Sequence, residues 1–427
     1  MLPSALLILS LAPVGVQPQT EPVDTAAVAR AFAIARDVAI RDRGRLWGRS
    51  LEGPLLVADP ASMVMFAATP DSAGQLARHG SMFRGRVPQS ITPANTAVIW
   101  SGRHWTMVRW PLPTDSTTLR ELIAHELWHR IQDSLGLAGR ELPNGHLERE
   151  SARVWLRLEA RALVRSLSAT GTDQREALED ALGFRAARYR DYPGADTSEA
   201  TLELNEGLAE YTGISLSGRT LDQQRERAIT GLRQLETAES VVRSFAYASG
   251  PAYGLLLDQL DPEWRSAIRG ARSLSRLLSD RAGIVTAGAD VVAAADRYQV
   301  GEVRVAEAAR AERKAARRLD LIARFVTGAR LSAPLRQMRI GLDPTKVESL
   351  DSLGSVYGAA RVTDEWGALD ARAGALRINA EWKEVSVPLP AGYQGGLEGL
   401  GWTLSLEPGW RVVQAGPDHW RVERAPR

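Results

Sequence analysis

The chain has 427 residues, a net charge of +2 and no cysteine. The lack of Cys excludes a disulfide framework, a thiol nucleophile, a Cys-ligated metal and a lipoprotein anchor. Only three of the 53 basic residues are Lys, and the many Arg are interleaved with Asp and Glu. This pattern is typical of solvated helix faces, so we expect no nucleic-acid-binding surface. The length predicts two or three domains with a large core.

The N-terminal segment has the character of a targeting signal. Residues 1–12 are apolar, and the chain becomes polar near Gln17, although a positive start and an A-x-A cleavage site are missing. We expect residues 1–20 to be a signal peptide or a short N-terminal anchor of an exported bacterial protein, with a cytoplasmic protein as the alternative. No later apolar run approaches the ~18 residues of a membrane-spanning helix, so we expect no other membrane contact.

Apolar patterns predict a helix and a small sheet before residue 115. Helical periodicity predicts a helix at 24–43. Short apolar runs bounded by Gly, Pro and Asp predict strands, the last two joined as a hairpin, in a sheet at about 50–112: Leu55–Ala58, Met63–Ala68, Thr96–Trp100 and Trp105–Trp110.

The middle of the chain is predicted to be helical. The first helix has a capping-box pattern, with Thr118 as N-cap and Glu121 as third residue, and we expect it to end at Gly136. Six further helices are predicted at 148–168, 173–189, 198–214, 219–236, 250–260 and 302–328, and residues 283–320 could include a spacer or a hairpin.

Past about residue 330 the pattern becomes strand-like. Apolar runs between Gly and Pro predict strands at Ala375–Ile378, Glu384–Val387, Trp402–Leu406 and Trp410–Val413. The predicted fold class is therefore α+β. It comprises a small N-terminal sheet, a mainly helical region at 115–328 and a β-rich accessory domain at 335–427.

The first helix of the middle region contains the motif His125-Glu126-Leu127-Trp128-His129. The two imidazoles lie one helical turn apart on one face and could bind one metal ion together. Glu126 is placed to act on a water activated by that metal. The motif is informative because the chain has only six His.

A catalytic metal site needs a third protein ligand from elsewhere in the chain. Glu206 is the first candidate, because Glu210 lies one turn further on and could fix the tautomer of a ligand His. The apolar neighbours of these two residues favour a buried site over a solvated acidic face. Glu159 is the alternative ligand, although it could instead pair with a neighbouring Arg. Glu148 and Glu150 are weaker candidates.

The motif of His125–His129, followed by Asn205-Glu206-Gly207-Leu208-Ala209-Glu210-Tyr211, resembles the gluzincin metallopeptidases. It is most similar to the branch of aminopeptidase N, leukotriene-A4 hydrolase and glycyl aminopeptidase. The resemblance implies a zincin-like catalytic domain at 21–330 that holds one zinc ion per chain. It implies that the ligands are the two His and Glu206, and that Glu126 is the general base.

A third segment, Tyr247-Ala248-Ser249-Gly250, resembles the Tyr-x-x-Gly segment of the same aminopeptidases. The resemblance implies that the Tyr247 hydroxyl stabilises the oxyanion of a tetrahedral intermediate, with Tyr253 as the second choice. The alternative is that each Tyr is a core aromatic with a satisfied hydroxyl.

The resemblance covers about 110–270 and has three departures. There are 76 residues between His129 and Glu206, no GxMEN motif precedes the first His, and Arg130 follows the second. The long gap implies a helical insertion between the ligand helices. The missing motif leaves open whether the substrate is a free amino terminus or an internal peptide bond.

The sequence therefore predicts an exported zinc metallopeptidase, a hydrolase of peptide or protein substrates. One alternative is a zinc-binding or cell-envelope interaction protein of the same fold without turnover, which the presence of Glu126 disfavours. Another is a structural helical protein with a chance motif, which the order of the three motifs disfavours. The oligomeric state is not predicted.

Overall fold

The computed structural model describes residues 23–88, 90–287, 290–342 and 346–426, so the predicted signal peptide or anchor lies outside the described residues. The described chain has a sheet, then a helical region, then a second sheet-rich region, as the α+β class predicted. It forms two compact units that divide between Ala308 and Ala309. Within the described ranges, no helix has the length and apolar character needed to span a membrane.

The first unit begins with helix α1 and a six-stranded sheet. Helix α1 is Thr25–Asp42. The strands are β1 (Leu55–Ala58), β2 (Val64–Ala67), β3 (Ala77–His79), β4 (Met82–Arg86), β5 (Thr96–Trp100) and β6 (Arg103–Arg109). Their order is β3-β4-β2-β1-β6-β5, with β1 and β6 parallel and the other pairs antiparallel. The strands β3 and β4 were not predicted.

The β5–β6 hairpin leads into helix α2 (Ser116–Gln132), which carries the HExxH motif and packs on both strands. Ser101 and Gly102 both have positive φ at the hairpin turn, the geometry that matches the twist of the two strands. The buried Trp128 ring of α2 lies 4.3 Å from the ring of Trp47, measured between centroids, and α2 packs on the helix at Leu208–Leu216. These contacts fix α2 against the sheet and the helical region.

The prediction that Thr118 caps α2 is wrong. The cap is Asp115, whose carboxylate accepts from the Thr118 backbone N–H at 2.7 Å and from its hydroxyl at 2.7 Å. A carboxylate is a stronger acceptor at this position than a hydroxyl, and it suits the positive end of the helix dipole. Glu121 does not close a capping box, because it pairs with Arg219 and Arg227 instead.

The helical region contains more helices than predicted. Its members are α3 (Glu150–Ser168), α4 (Gly171–Asp191), α5 (Ala195–Leu202), α6 (Leu208–Leu216), α7 (Leu221–Gln234), α8 (Ser244–Leu260), α9 (Trp264–Ala271), α10 (Leu274–Ala282), α11 (Val291–Asp296) and α12 (Val300–Ile322). Helix α8 begins six residues before the predicted start, because it accommodates Pro251 in its interior. Within 283–320, the described chain is helical in α11 and α12, and residues 283–287, 290 and 297–299 form turns and irregular segments.

A π-helical turn, Glu203–Gly207, joins α5 to α6. Gly207 of this turn crosses Gly250 of α8 so closely that a Cβ on Gly250 would lie 2.3 Å from Gly207 Cα. Glycine at both positions therefore lets the two backbones meet. The crossing places Tyr247, one turn before Gly250, beside Glu206.

The second unit is β-rich and has its own core, in which Trp366 and Trp402 are fully buried. Its strands are β7 (Arg330–Pro334), β8 (Arg339–Gly341), β9 (Val347–Ser349), β10 (Ser355–Asp364), β11 (Gly367–Ile378), β12 (Glu384–Pro388), β13 (Glu398–Gly399), β14 (Trp402–Leu406), β15 (Trp410–Gly416) and β16 (His419–Arg424). The order is β13-β14-β11-β12-β7-β16-β15, and β10 pairs with β8, β9 and β11. All four predicted strand positions lie in strands.

We predict that Gly250→Ala lowers the free energy of unfolding by about 1–3 kcal/mol, because the added methyl group meets backbone that cannot move aside. Urea unfolding of the purified protein measures this. The matched control is Gly270→Ala in α9, where an added Cβ meets no heavy atom within 4 Å. The control should be neutral or stabilising by up to about 1 kcal/mol. Equal stability of Gly250→Ala and the wild-type protein would contradict the close crossing.

Candidate metal centre

Three ligand atoms from two elements converge on one point. His125 and His129 come from α2, and Glu206 comes from the π-helical turn that precedes α6, which packs on α2. The two imidazole Nε2 atoms are 3.2 Å apart, and Glu206 Oε2 lies 3.6 Å from each of them. This buried group could hold a metal ion.

The spacing of the three atoms fits a tetrahedral metal site. Bonds of about 2.0–2.1 Å place tetrahedral ligand atoms about 3.3 Å from one another. Three ligands on one face of an octahedron, with similar bonds, would be only about 3.0 Å apart. The observed separations of 3.2 and 3.6 Å are closer to the tetrahedral value.

The hydrogen bonds on the far side of each imidazole fix its tautomer. The Nδ1–H of His125 donates to Glu210 Oε2 at 3.0 Å, and that of His129 donates to Gln132 Oε1 at 3.3 Å. When both imidazoles are neutral, their Nε2 atoms present lone pairs to each other and to the Glu206 carboxylate. Three electron-rich atoms at this spacing repel one another unless a cation lies between them.

Glu210 is itself held in place by a line of charged side chains. Its Oε1 accepts from Arg227 Nη2 at 2.8 Å, and Arg227 also contacts Glu121 at 2.7 Å. Arg219 pairs with Glu121 on its other side. The chain of contacts behind His125 therefore runs from Glu210 in α6 to Arg227 in α7.

The two oxygens of Glu206 have different partners. Oε2 faces the imidazoles, whereas Oε1 accepts from Arg243 Nη2 at 3.1 Å and from Asn205 Nδ2 at 3.5 Å. Arg243 and Asn205 both also donate to Glu141, which lies in the loop after α2. This arrangement holds Glu206 so that one oxygen is directed at the metal position.

Glu126 and Tyr247 border the same group. Glu126 is only 3 % exposed, and its Oε2 atom has no hydrogen-bond partner among the described residues. The Tyr247 hydroxyl donates to Glu206 Oε2 at 2.6 Å. Its ring is nearly parallel to the His125 ring, with 5.8 Å between the centroids. A hydroxyl donor and an unpaired carboxylate oxygen therefore lie beside the three ligand atoms.

The surroundings of Glu206, Glu126 and Tyr247 shift the pKa of each side chain. Burial disfavours the ionised form of Glu206, but the imidazoles of His125 and His129 that face its Oε2 outweigh this effect and hold the Glu206 pKa well below its usual range. Burial raises the pKa of Glu126 above its ordinary value. Burial and the Glu206 carboxylate raise the pKa of Tyr247, so its hydroxyl keeps its proton as a donor.

Glu159, the alternative metal ligand, and Tyr253, the alternative to Tyr247, lie together in another buried cluster. Glu159 accepts from Arg185 Nε at 2.8 Å and pairs with Arg188 at 2.7 Å. The Tyr253 hydroxyl donates to Glu159 at 2.9 Å, as expected for a core aromatic with a satisfied hydroxyl. Arg185 also binds both oxygens of Glu203, at 2.6 and 2.8 Å, which anchors the π-helical turn.

Several residues at the centre were not predicted. Arg243 lies four residues before Tyr247, and Asn205 directly precedes Glu206. Their closeness to predicted site residues could have indicated that they lie at the centre. Gln132 lies three residues after His129 in the same helix, and side chains three residues apart on a helix are neighbours. Glu141 lies in a loop without periodicity and gives no sequence signal.

Comparison of the chain with protein-family models, with curated proteins and with solved structures finds no match.

The buried cluster predicts an acid-dependent loss of stability. Glu199 accepts from Arg188 at 2.6 and 2.8 Å and contacts His146 at 2.7 Å, near Arg185 and Glu159. Burial raises its pKa, but Arg188 dominates and lowers it to about 2, from 4.5 in an unfolded chain. The stabilisation is therefore complete above pH 4.5 and is lost as the pH falls towards 2.

We predict that Glu199→Gln costs about 3–5 kcal/mol near neutral pH, because Arg188 loses a buried partner. This difference from the wild-type protein should shrink as the pH falls from 4.5 towards 2, as measured by urea unfolding at several pH values. The control is Glu226→Gln, which removes an exposed carboxylate 3.5 Å from Arg233 and should change stability by less than about 1 kcal/mol. A difference that does not vary with pH would contradict the assigned pair.

Proposed function

We propose that the protein is a zinc metallopeptidase with a zincin-like catalytic domain, which hydrolyses peptide bonds with water. The observation that carries this proposal is the convergence of His125, His129 and Glu206 beside the buried carboxylate of Glu126, whose Oε2 has no partner among the described residues. The motif resemblance in the sequence supports the same function. A peptide or protein is the substrate class that this chemistry implies.

Zinc is the proposed metal because the ligand set is two imidazoles and one carboxylate with near-tetrahedral spacing. Iron(II) also uses two His and one carboxylate, but with an octahedral arrangement and closer ligand atoms. The ligand set leaves a zinc site with a net charge of +1, which suits an anionic intermediate.

Zinc, when bound, polarises the scissile carbonyl and makes a water molecule more acidic. Glu126 then acts as the general base: it takes a proton from the attacking water and passes it to the leaving amine. The burial of its carboxylate raises its pKa, and a more basic carboxylate accepts the proton more readily.

Tyr247 is proposed to stabilise the negative oxygen that develops on the substrate carbonyl. Its hydroxyl is a protonated donor held next to the ligand Glu206, and its ring is fixed against the His125 imidazole. A donor held in place before the reaction stabilises the transition state without reorganisation.

We predict that Glu126→Gln keeps one zinc per chain and loses about 10²–10⁴-fold in turnover of a quenched fluorescent peptide library, because the amide cannot take the proton. Zinc content by elemental analysis and turnover are measured on the same sample. Turnover in Glu126→Gln equal to that of the wild-type protein would remove Glu126 as base. Full zinc without turnover in the wild-type protein would favour the zinc-binding alternative.

We predict that Tyr247→Phe lowers turnover about 10²–10³-fold and changes zinc affinity, measured by chelator competition, by less than about three-fold. Tyr253→Phe is the control: it removes the hydrogen bond to Glu159 and should lower stability, not turnover per folded molecule. Weaker zinc binding in Tyr247→Phe with unchanged turnover per zinc would instead make Tyr247 a support for Glu206.

A further inference from the structure

A cavity lies beside the metal group and is lined by residues that the mechanism above does not use. It has a volume of about 420 Å³, and its walls are Glu141–Gly145, Leu202, Val242 and Arg243. We propose that it receives an uncharged apolar side chain of the substrate residue next to the scissile bond. This inference rests on the proposed peptidase function.

The walls of the cavity belong to the segments that carry the site. Arg243 lines the cavity and also donates to Glu206 Oε1 at 3.1 Å. Leu202 ends α5, four residues before Glu206, and Val242 lies five residues before Tyr247. The Arg243 side chain therefore joins the cavity wall to the ligand Glu206, and the proposal places the substrate side chain on the cavity side of Arg243.

The chemistry of the walls favours an uncharged apolar occupant. The charged side chains Glu141 and Arg243 are paired with each other, so they leave no net charge at the cavity. The other large side chains are apolar: Leu142, Pro143, Leu202 and Val242. A charged substrate group would lose its hydration without gaining a free counterion, whereas an apolar group gains from leaving water.

One polar atom at the cavity supports a peptide as the occupant. Asn144 lines the cavity and is 5 % exposed, and its Oδ1 has no hydrogen-bond partner among the described residues. A buried acceptor without a donor is costly, so it is expected to have a function or a partner. A bound peptide brings a backbone N–H with its side chain, and this donor would satisfy Asn144.

Gly145 offers a way to fill the cavity without straining the backbone. It lines the cavity, its φ is not in the left-handed region, and a Cβ there would meet no heavy atom within 4 Å. Gly145→Leu therefore adds a large side chain at the cavity wall. The matched control is Gly270→Leu, which has the same open surroundings in α9 and does not line this cavity. The melting temperature of both variants reports their folding.

The test uses zinc-loaded full-length protein and N-acetyl amino-acid hydroxamates, whose hydroxamate group binds zinc and places one side chain beside it. Calorimetric Kd values are compared for glycine, leucine, aspartate and lysine hydroxamates. The leucine compound should bind about 10–100-fold more tightly than the glycine compound, and the charged ones no more tightly than glycine. Gly145→Leu should reduce the leucine preference below three-fold, and Gly270→Leu should retain it.

Equal binding of the leucine and glycine compounds to the zinc-loaded protein would overturn the inference and leave the proposed function intact. A preference for aspartate or lysine would overturn the assigned side-chain class. A leucine preference that persists in folded Gly145→Leu would place the side chain outside this cavity. If neither these compounds nor acetohydroxamate binds the zinc-loaded protein, the proposed function fails and the inference fails with it.

Discussion

The centre depends on one constraint: Glu206 must reach two imidazoles that belong to a different helix. The π-helical turn of Glu203–Gly207 meets this constraint, with Glu203 directed to Arg185 and Glu206 directed to the imidazoles. The contact between Gly207 and Gly250 allows α8 to approach this turn. Single π-helical turns are frequent at functional sites, which is consistent with this placement.

Around the three ligand atoms, charged side chains form chains of ion pairs that begin at the ligands. His125 is followed by Glu210, Arg227 and Glu121, and Glu206 is followed by Arg243 and Glu141. Such partners orient metal ligands and set their protonation. The Oε2 atom of Glu126 differs because it is buried without a partner in the described residues. The proposed role of Glu126 as general base rests on this unpaired oxygen.

The sequence predicted the parts of the centre that local spacing determines. His125 and His129 are four residues apart on one helix, and Glu206 and Glu210 stand in a recognisable apolar context, so both pairs could be named. Glu141 could not be predicted, because its contact with Arg243 spans 102 residues and joins a loop to a helix. Long-range contacts of this kind depend on tertiary packing, which no single-sequence pattern contains.

The fold was predicted at the level of its three regions, and the errors have local causes. Thr118 was taken as the cap because it fits a capping box, but Asp115 offers a stronger acceptor three residues earlier. The helix predicted to start at residue 250 begins at Ser244 and continues through Pro251.

The most direct test of the account is zinc K-edge X-ray absorption of protein loaded with one equivalent of zinc. The account predicts a first shell of about four nitrogen and oxygen atoms at about 2.0–2.1 Å, with outer-shell scattering from two imidazoles. His129→Ala should reduce that scattering to one imidazole. A six-coordinate shell, or a spectrum without two imidazoles, would contradict zinc binding by His125, His129 and Glu206.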